Sequence, residues 1–227
     1  VTLVPLSQQH NLHRLQTKTT NMGVTVLQQF PIETRTGPST IELLSKRISA
    51  LGAVQQGQFL VDCETYTSTP ALGHQRTVHV LHNSEQPATV FSILETGQKT
   101  IPLATDGLFD LLMMKMSGFY TSKKQTKAES KGPRYEIGDF CVKLGTVTVS
   151  QNFKGILVEV EYRPSVVPAL CWELMREFLQ GFLGSSVPAT PPAYLQNRMQ
   201  ELYTPMDTIH QYLEQFTIFR KSPGLRP

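Results

Sequence analysis

The chain has 227 residues, of which 40% are hydrophobic and 17% charged, and its formal net charge is +3. A chain of this size can bury a core without a disulfide staple, and so small a charge by itself points to no class of partner. The three cysteines, Cys63, Cys141 and Cys171, lie among apolar neighbours, which predicts buried free thiols and no zinc site. Neither a run of about 18 apolar residues nor a secretory signal pattern is present, which predicts a soluble intracellular protein.

The first part of the chain contains an extension, a strand and a helix. Residues 1–21 have no sustained hydrophobic period and no cap signal, so we expect a flexible N-terminal extension ahead of one domain over 22–227. A first strand is predicted to end at Pro31. Ser39, read as an N-cap, then opens an amphipathic helix that closes at Gly52.

From residue 58 the hydrophobic period drops to two, which is typical of strands. Strands are predicted from residue 58 and at about 76–82, 89–95 and 100–103, joined by connections short enough for antiparallel hairpins. Asp106 is placed to cap a compact helix through Met116.

Residues 121–134 hold most of the surplus positive charge. Five cations stand there against Glu129, namely Lys123, Lys124, Lys127, Lys131 and Arg134. We interpret the segment as a solvated basic loop, and a contact with nucleic acid, an acidic partner or an import receptor stays open as its function. The absence of interleaved aromatic residues disfavours base stacking.

Strands are predicted again at 135–144, 146–150 and 155–162, with residues 151–154 as a turn. Such short gaps exclude crossover helices, so the sheet is expected to be mainly antiparallel. A helix over 168–183 has only a narrow polar stripe and must be covered on more than one side. A last helix, capped by Thr204, has a narrow apolar seam of Met206, Ile209, Leu213 and Phe216.

These elements predict an α+β protein with an antiparallel β-barrel-like sheet of about seven or eight strands and flanking helices. The sheet is expected to be curled or closed as a barrel, because closure removes exposed edges.

Glu159 and Glu161 alternate with apolar residues on one strand and suggest a catalytic alternative. Tunnel-shaped, metal-dependent triphosphatases use a similar pattern, in which carboxylates hold a cation and basic groups hold the phosphates. The alternation favours a wet outer face for both acids, and we found no matching set of ionisable residues on other strands. His79 and His82 point to opposite faces of a strand and are expected at the surface. The sequence therefore predicts no catalytic, metal or cofactor site.

Several collinear blocks of the sequence resemble one family, the Mediator complex subunit 20 family of animals. The blocks are 22–25 (MGVT), 61–66 (VDCETY), 81–85 (LHNSE), 139–148 (DFCVKLGTVT), 158–162 (VEVEY), 171–174 (CWEL), 177–184 (EFLQGFLG) and 207–208 (DT). Together they span nearly everything beyond residue 21, which is far more specific than a short motif.

The resemblance implies a non-catalytic subunit of the Mediator head module in the nucleus, with a β-barrel fold distantly like that of the triphosphatases. It also implies a direct heterodimer with Mediator subunit 18, contact with subunit 8 through subunit 18, and a coactivator role that links regulators to RNA polymerase II. We expect a partner on the apolar helix, through Leu170, Trp172, Leu174, Phe178 and Phe182. The alternative that this helix face belongs to the core stays open.

Overall fold

A computed structural model describes residues 22–32, 37–97 and 99–222 of the chain. Within these ranges there are nine strands: β1 (Val24–Phe30), β2 (Val54–Ser68), β3 (Thr77–Asn83), β4 (Val90–Glu95), β5 (Thr100–Thr105), β6 (Tyr120–Ser122), β7 (Ala128–Ile137), β8 (Phe140–Val149) and β9 (Asn152–Tyr162). The helices are α1 (Gly37–Ala50), α2 (Leu108–Lys115), α3 (Pro168–Leu183), α4 (Ala193–Gln196) and α5 (Pro205–Lys221). No helix in these ranges is long and apolar enough to cross a membrane.

The strands form one antiparallel sheet in the order β1-β9-β8-β7-β2-β3-β4-β5, and β6 pairs with the end of β2. The predicted α+β class and antiparallel pairing are confirmed. The sheet is not closed as a barrel, because its strand order is open and ends at β1 and β5. The sheet nevertheless curls, since Gln86 in the β3–β4 turn reaches Met22 ahead of β1 with its Nε2 atom 3.0 Å from the Met22 Sδ atom.

On the free edge of β1, backbone hydrogen-bonding groups are paired with a side chain of α5 instead of with another strand. The Gln211 Oε1 atom accepts a hydrogen bond from the Leu27 N–H at 3.2 Å, and its Nε2 atom donates to the Thr25 carbonyl at 2.9 Å. An edge strand leaves such backbone groups unpaired, and the buried Gln211 amide satisfies two of them.

The two faces of the sheet are covered by different helices. On one face α1 and α3 pack on β1, β8 and β9 through residues such as Leu44, Met175 and Val158. On the other face α5 packs across the sheet from Leu27 in β1 to Ile93 in β4. Strands β1, β9 and β8 are therefore buried on both faces along much of their length, so polar residues such as Thr25, Lys143 and Glu159 are buried as well.

The last helix is buried much more broadly than its predicted seam. Besides the seam residues Ile209, Leu213 and Phe216, the fully buried Tyr212 and the polar Gln211 face the sheet. The curled sheet surrounds more of α5 than one flat surface would, so the prediction of a narrow seam is wrong. Its N-terminus is as predicted, with Asp207 accepting hydrogen bonds from the backbone and hydroxyl of Thr204.

Several predicted boundaries differ from the structure. Ser39 is not the N-cap of α1, because the helix already includes Gly37. The predicted strand 135–144 is two strands, separated at Gly138, whose φ of 53° suits a tight turn. The predicted turn 151–154 lies earlier, at Ser150 and Gln151, whose φ values of 50° and 68° match the two-residue hairpin that joins β8 to β9.

The prediction for the cysteines is confirmed, whereas the predictions for the N-terminal extension and the domain count are not tested. The three cysteines are buried and free, as predicted. The expected extension over 1–21 lies outside the described residues, and the single-domain interpretation of 22–227 stays a prediction.

Candidate functional site

A buried ion pair joins the neighbouring strands β8 and β9. The antiparallel register places Lys143 directly opposite Glu159. The Lys143 Nζ atom donates to the Glu159 Oε1 atom at 2.9 Å, and both residues are almost inaccessible to water, at 3% and 2% exposure. Strand register alone thus brings one acid and one base together on the face that α5 covers.

The other carboxylate oxygen of Glu159 accepts a hydrogen bond from the Tyr212 hydroxyl on α5. The prediction that Glu159 points to water is therefore wrong. Its strand does alternate, but α5 covers the face that the sequence pattern assigned to solvent. Burial and the neighbouring carboxylate together raise the pKa of the Tyr212 phenol well above its usual value, so this hydroxyl stays protonated and remains a donor.

A cleft of about 300 Å³ lies beside this pair. Its lining comes from β7, β8, β9, the β3–β4 turn and the ends of the neighbouring segments, and comprises Met22, Asn83, Glu85, Gln86, Arg134, Lys143, Glu159, Glu161 and Arg163. Arg134 donates to Glu85 at 3.2 Å and to Glu136 at 2.8 Å, and Arg163 donates to the same Glu136 oxygen at 2.7 Å. Apart from Glu161, the acids and bases of the cleft are therefore linked through ion pairs with one another or with Glu136.

Glu161 is the acid of this cleft with the least charge compensation. Its Oε1 atom accepts a hydrogen bond from the Gly23 N–H at 2.9 Å. Burial is the main cause that raises its pKa, and the Gly23 hydrogen bond only partly opposes this effect. For Lys143, burial is the strongest influence and lowers the pKa, but the charges of Glu159 and Glu85 outweigh it, so the pKa is raised and the ammonium persists.

The arrangement of the cleft is poorly suited to metal-dependent hydrolysis. A hard cation takes about six or more oxygen ligands, yet Lys143 and Tyr212 already occupy both oxygens of Glu159. In the described ranges no three His, Cys, Asp or Glu residues are grouped so that they could hold a metal ion. The bases are likewise engaged by carboxylates, so the cleft has little free positive charge for a phosphate.

The basic residues predicted to share a loop are distributed over different elements. The predicted loop 121–134 contains β6, a short 3-10 turn and the first part of β7, so Lys131 and Arg134 lie on a strand. Lys127 is within ion-pair distance of Asp62 at 3.7 Å and Glu129 at 3.4 Å. Lys123, Lys124 and Lys127 lie on the short connection between β6 and β7. The prediction that all five basic residues share one loop is therefore wrong. Whether these residues contact a partner stays untested.

The five residues predicted to contact a partner on α3 have unequal exposure. Trp172 and Phe182 belong to the core against the sheet. Phe178 is partly buried and stacks on Phe140 with a centroid distance of 4.1 Å. Leu170, at 80% exposure, and Leu174 face solvent. The structure thus brings only two of the five to the surface, and their role in binding stays a prediction.

The two strand histidines differ from each other. His79 is buried, contrary to the prediction, and its Nδ1 atom lies 3.0 Å from the Thr65 hydroxyl. Burial is the main cause that lowers its pKa, which keeps the ring neutral. His82 is half-buried and lies between Asp62, at 2.8 Å, and Asp110, at 3.2 Å.

The position of His82 predicts a measurable pH dependence. The hydrogen bond to Asp62, followed by the charges of both aspartates, raises the pKa of His82 to about 9. Because the folded-state pKa is raised, its stabilising contribution is complete below the unfolded pKa of about 6.5 and is lost as pH rises through about 9. An NMR titration should find the midpoint near 9, and Asp62→Asn should lower it. A midpoint near 6.5 in the wild type would contradict this arrangement.

Sequence reasoning missed the partners of Glu159 and one surface. Lys143, a lone charge in the apolar strand β8, was the available signal, whereas nothing in the α5 sequence marked Tyr212 as a donor to β9. The missed surface, here named the β5–α2 surface, consists of large apolar side chains that are each 46% to 67% exposed. They are Ile101, Leu103, Leu108, Leu111, Leu112, Met114 and Phe119.

These features define an α+β protein with an open, helix-covered antiparallel sheet and a polar cleft that is neutralised by its own ion pairs. The sequence of residues 22–217 matches the family described as "TATA-binding related factor (TRF) of subunit 20 of Mediator complex". The chain belongs to this family, the Mediator subunit 20 family.

Curated relatives of this family match over most of their length. "Mediator of RNA polymerase II transcription subunit 20" of Aedes aegypti is 66% identical over 209 residues, which cover 88% of this chain and 95% of the relative. The Drosophila melanogaster protein of the same name is 51% identical, covering 88% and 87%. The Homo sapiens protein of that name is 47% identical, covering 88% and 95%.

Solved structures resemble the chain only weakly. The PH1012 protein from Pyrococcus horikoshii aligns with a TM-score of 0.43 and 14% identity, covering 71% of this chain and 90% of that protein. The Pct1 RNA triphosphatase of S. pombe aligns with a TM-score of 0.32 and 9% identity, covering 99% and 97%. Both scores are too low to support an argument about function.

Proposed function

We propose that the protein is a non-catalytic subunit of the Mediator complex that works as a scaffold in the head module. The observation that carries this proposal is the family match over residues 22–217, together with relatives of 47% to 66% identity that are named as Mediator subunit 20. The proposed partners are Mediator subunit 18 directly, subunit 8 through subunit 18, and the RNA polymerase II machinery indirectly. The proposed location is the nucleus.

The absence of a catalytic role in this proposal is supported by the ion network of the cleft. An active site needs at least one acid, base or nucleophile that is free to engage a substrate. In the cleft Glu159 is held by Lys143 and Tyr212, and Glu85 accepts from Arg134. Beside the cleft, Glu136 is held by Arg134 and Arg163. Such mutual pairing favours a structural role for these charges.

The β5–α2 surface supports a scaffold role and is our proposed contact for subunit 18. In the register between β4 and β5, Ile101 and Leu103 lie opposite Leu94 and Ser92, so they share the sheet face on which α2 packs. Helix α2 covers that face with Met113 and leaves its leucines exposed. Large exposed apolar side chains grouped on one strand and the neighbouring helix favour a protein contact there.

Pro102 indicates whether a partner binds this surface through an added strand or through side chains. Strand β5 is a sheet edge, and an unprotected edge can accept another strand. Pro102 lies in the middle of β5 and has no N–H to donate, which disfavours an added strand. We therefore propose contact through side chains, with Leu108 and Leu112 one helical turn apart as the anchor of a helix-to-helix interface.

The exposed end of α3 remains the second proposed contact. Leu170 and Leu174 are four residues apart and lie on one exposed stripe of the helix. Two side chains offer much less apolar area than the seven of the β5–α2 surface, so we assign α3 a supporting contact.

Affinity purification from nuclear extract tests both the proposed Mediator membership and the proposed β5–α2 contact with subunit 18. The folded wild-type protein should retain subunit 18 and further Mediator subunits, identified by mass spectrometry. The Leu108→Asp/Leu112→Asp variant should lose subunit 18 by about tenfold or more, because burying a charge in an apolar interface costs several kcal/mol. Leu202→Asp is the matched control, since Leu202 and Leu108 are both 67% exposed.

The possible results separate the function from the surface. Folded wild-type protein that retains no Mediator subunit would contradict the proposed function. Equal retention by the wild type and the Leu108→Asp/Leu112→Asp variant would leave the Mediator role standing and remove the β5–α2 surface from it. A loss with Leu202→Asp as well would show that any added charge disrupts the complex.

A further inference from the structure

A second cleft, of about 280 Å³, lies where the C-terminal end of α5 meets the sheet. We name it the α5-end cleft, and its lining comprises Thr65, Thr77, His79, Glu95, Lys123, Thr126, Thr217, Arg220 and Lys221. Three cations thus stand against one carboxylate, whereas the cations of the first cleft are matched by carboxylates. Positive charge concentrated in a concave surface attracts an anion.

Arg220 is held in place by neutral acceptors. Its Nε atom donates to the Thr126 carbonyl at 2.8 Å, and one Nη atom lies 3.2 Å from the Cys63 Sγ atom. Neither acceptor carries a charge that would neutralise the guanidinium, and burial raises the pKa of the Cys63 thiol. The guanidinium therefore lines the cleft with its full charge, which no carboxylate among the described residues pairs.

Among the described residues that line the cleft, Glu95 alone is a carboxylate, and one negative charge does not balance three cations. Glu95 is about half exposed, and its Oε2 atom lies 3.5 Å from the His79 Nε2 atom. Burial, with a smaller contribution from the charges of Arg220 and Lys123, lowers the pKa of His79 and keeps it neutral. The net charge around the cleft is therefore positive at neutral pH.

Part of this charge also complements the negative end of the α5 dipole, which any basic residue in a last helical turn does. That effect accounts for Arg220 and Lys221 but not for Lys123, which comes from the connection between β6 and β7. Cations thus converge from two separate elements on one cleft. This convergence is what a site for a carboxylate requires.

We infer that the α5-end cleft binds an acidic peptide segment of a protein partner. No phenylalanine, tyrosine or tryptophan is found among the described residues that line the cleft. This disfavours single-stranded nucleic acid, because its bases stack on such rings. Ile218 is exposed and lies three residues before Lys221 on the same side of α5, so it offers an apolar contact beside the charges. The peptide that fits carries several carboxylates around one apolar residue. The inference does not depend on assembly into Mediator.

Fluorescence anisotropy with a labelled Glu-Glu-Glu-Leu-Glu-Glu-Glu peptide tests this inference on the full chain. The wild type should bind the peptide at low salt, binding should weaken as salt screens the charges, and the corresponding Gln peptide should not bind. Lys123→Glu/Lys221→Glu should weaken binding by about tenfold or more, because both reversals place like charges against the peptide. Both lysines are exposed or at the helix end, so the fold should persist, and circular dichroism checks it.

Lys99→Glu/Lys115→Glu is the matched control, since it makes the same change in net charge at exposed lysines elsewhere. It should change the affinity by less than about twofold. Equal weakening by the two double variants would overturn the assignment to this cleft, as would wild-type protein that fails to bind the peptide. Tighter binding of an oligothymidine of similar charge, lost in Lys123→Glu/Lys221→Glu, would identify a nucleic-acid site instead.

Discussion

Replacing Glu159 with alanine should lower the free energy of unfolding by about 3–5 kcal/mol, because it leaves the Lys143 ammonium buried without its partner. Lys143 is 3% exposed, and its next carboxylate, Glu85, lies 4.0 Å away. The variant also removes the acceptor of the Tyr212 hydroxyl, which is fully buried. Chemical denaturation followed by circular dichroism measures the loss.

Two further variants make this prediction specific to the buried pair. Lys143→Met/Glu159→Leu removes both charges, so it should be much less destabilised than Glu159→Ala, because hydrophobic replacement of a buried pair is often neutral. Glu173→Ala removes one partner of the exposed pair with Arg176 on α3 and should cost less than about 1 kcal/mol. Nearly equal losses for Glu159→Ala and Glu173→Ala would show that Glu159 is hydrated in solution.

Replacing Trp172 with alanine should cost about 3–5 kcal/mol of unfolding free energy, whereas Leu170→Ala on the same helix should cost less than about 0.5 kcal/mol. Trp172 packs in the core between α3 and the sheet, at 7% exposure. Leu170 is 80% exposed and loses few contacts on truncation. Thermal or chemical unfolding of the isolated protein measures both changes.

This pair of variants decides whether α3 contributes a core face or a contact face at each position. If Trp172→Ala leaves the stability unchanged but abolishes partner retention, Trp172 contacts the partner, as the sequence predicted. A stability loss with Trp172→Ala, and retained stability with weaker partner retention in Leu170→Ala, would confine the contact to the exposed stripe of the helix.

Local patterns allowed much of the fold to be predicted. The helix over 168–183 and the Thr204 cap of α5 follow from signals within a few residues, and both are confirmed. The β3–β4 hairpin is confirmed for the same reason. The β8–β9 turn was misplaced because Ser150 and Gln151 adopt positive φ without the Asn-Gly or Gly signal that usually marks such a turn.

The candidate site was less accessible to sequence reasoning. Alternation correctly placed Glu159 and Glu161 on one face of β9, but it gives no information on what covers that face. The burial of Glu159 depends on Tyr212, which is 53 residues away in sequence. The uncompensated charge of the α5-end cleft likewise depends on Lys123 and Arg220, which no local pattern joins.

The sequence by itself determined the α+β class, the antiparallel hairpins, the helix positions and, through collinear blocks, the family. These properties are encoded in residues close together along the chain, where period and capping chemistry act directly. Only the tertiary structure decided which faces of the strands are dry, where the sheet ends and which charges are paired. Those properties depend on the placement of α5 across the curled sheet, and such long-range packing leaves no periodic trace in the segments it covers.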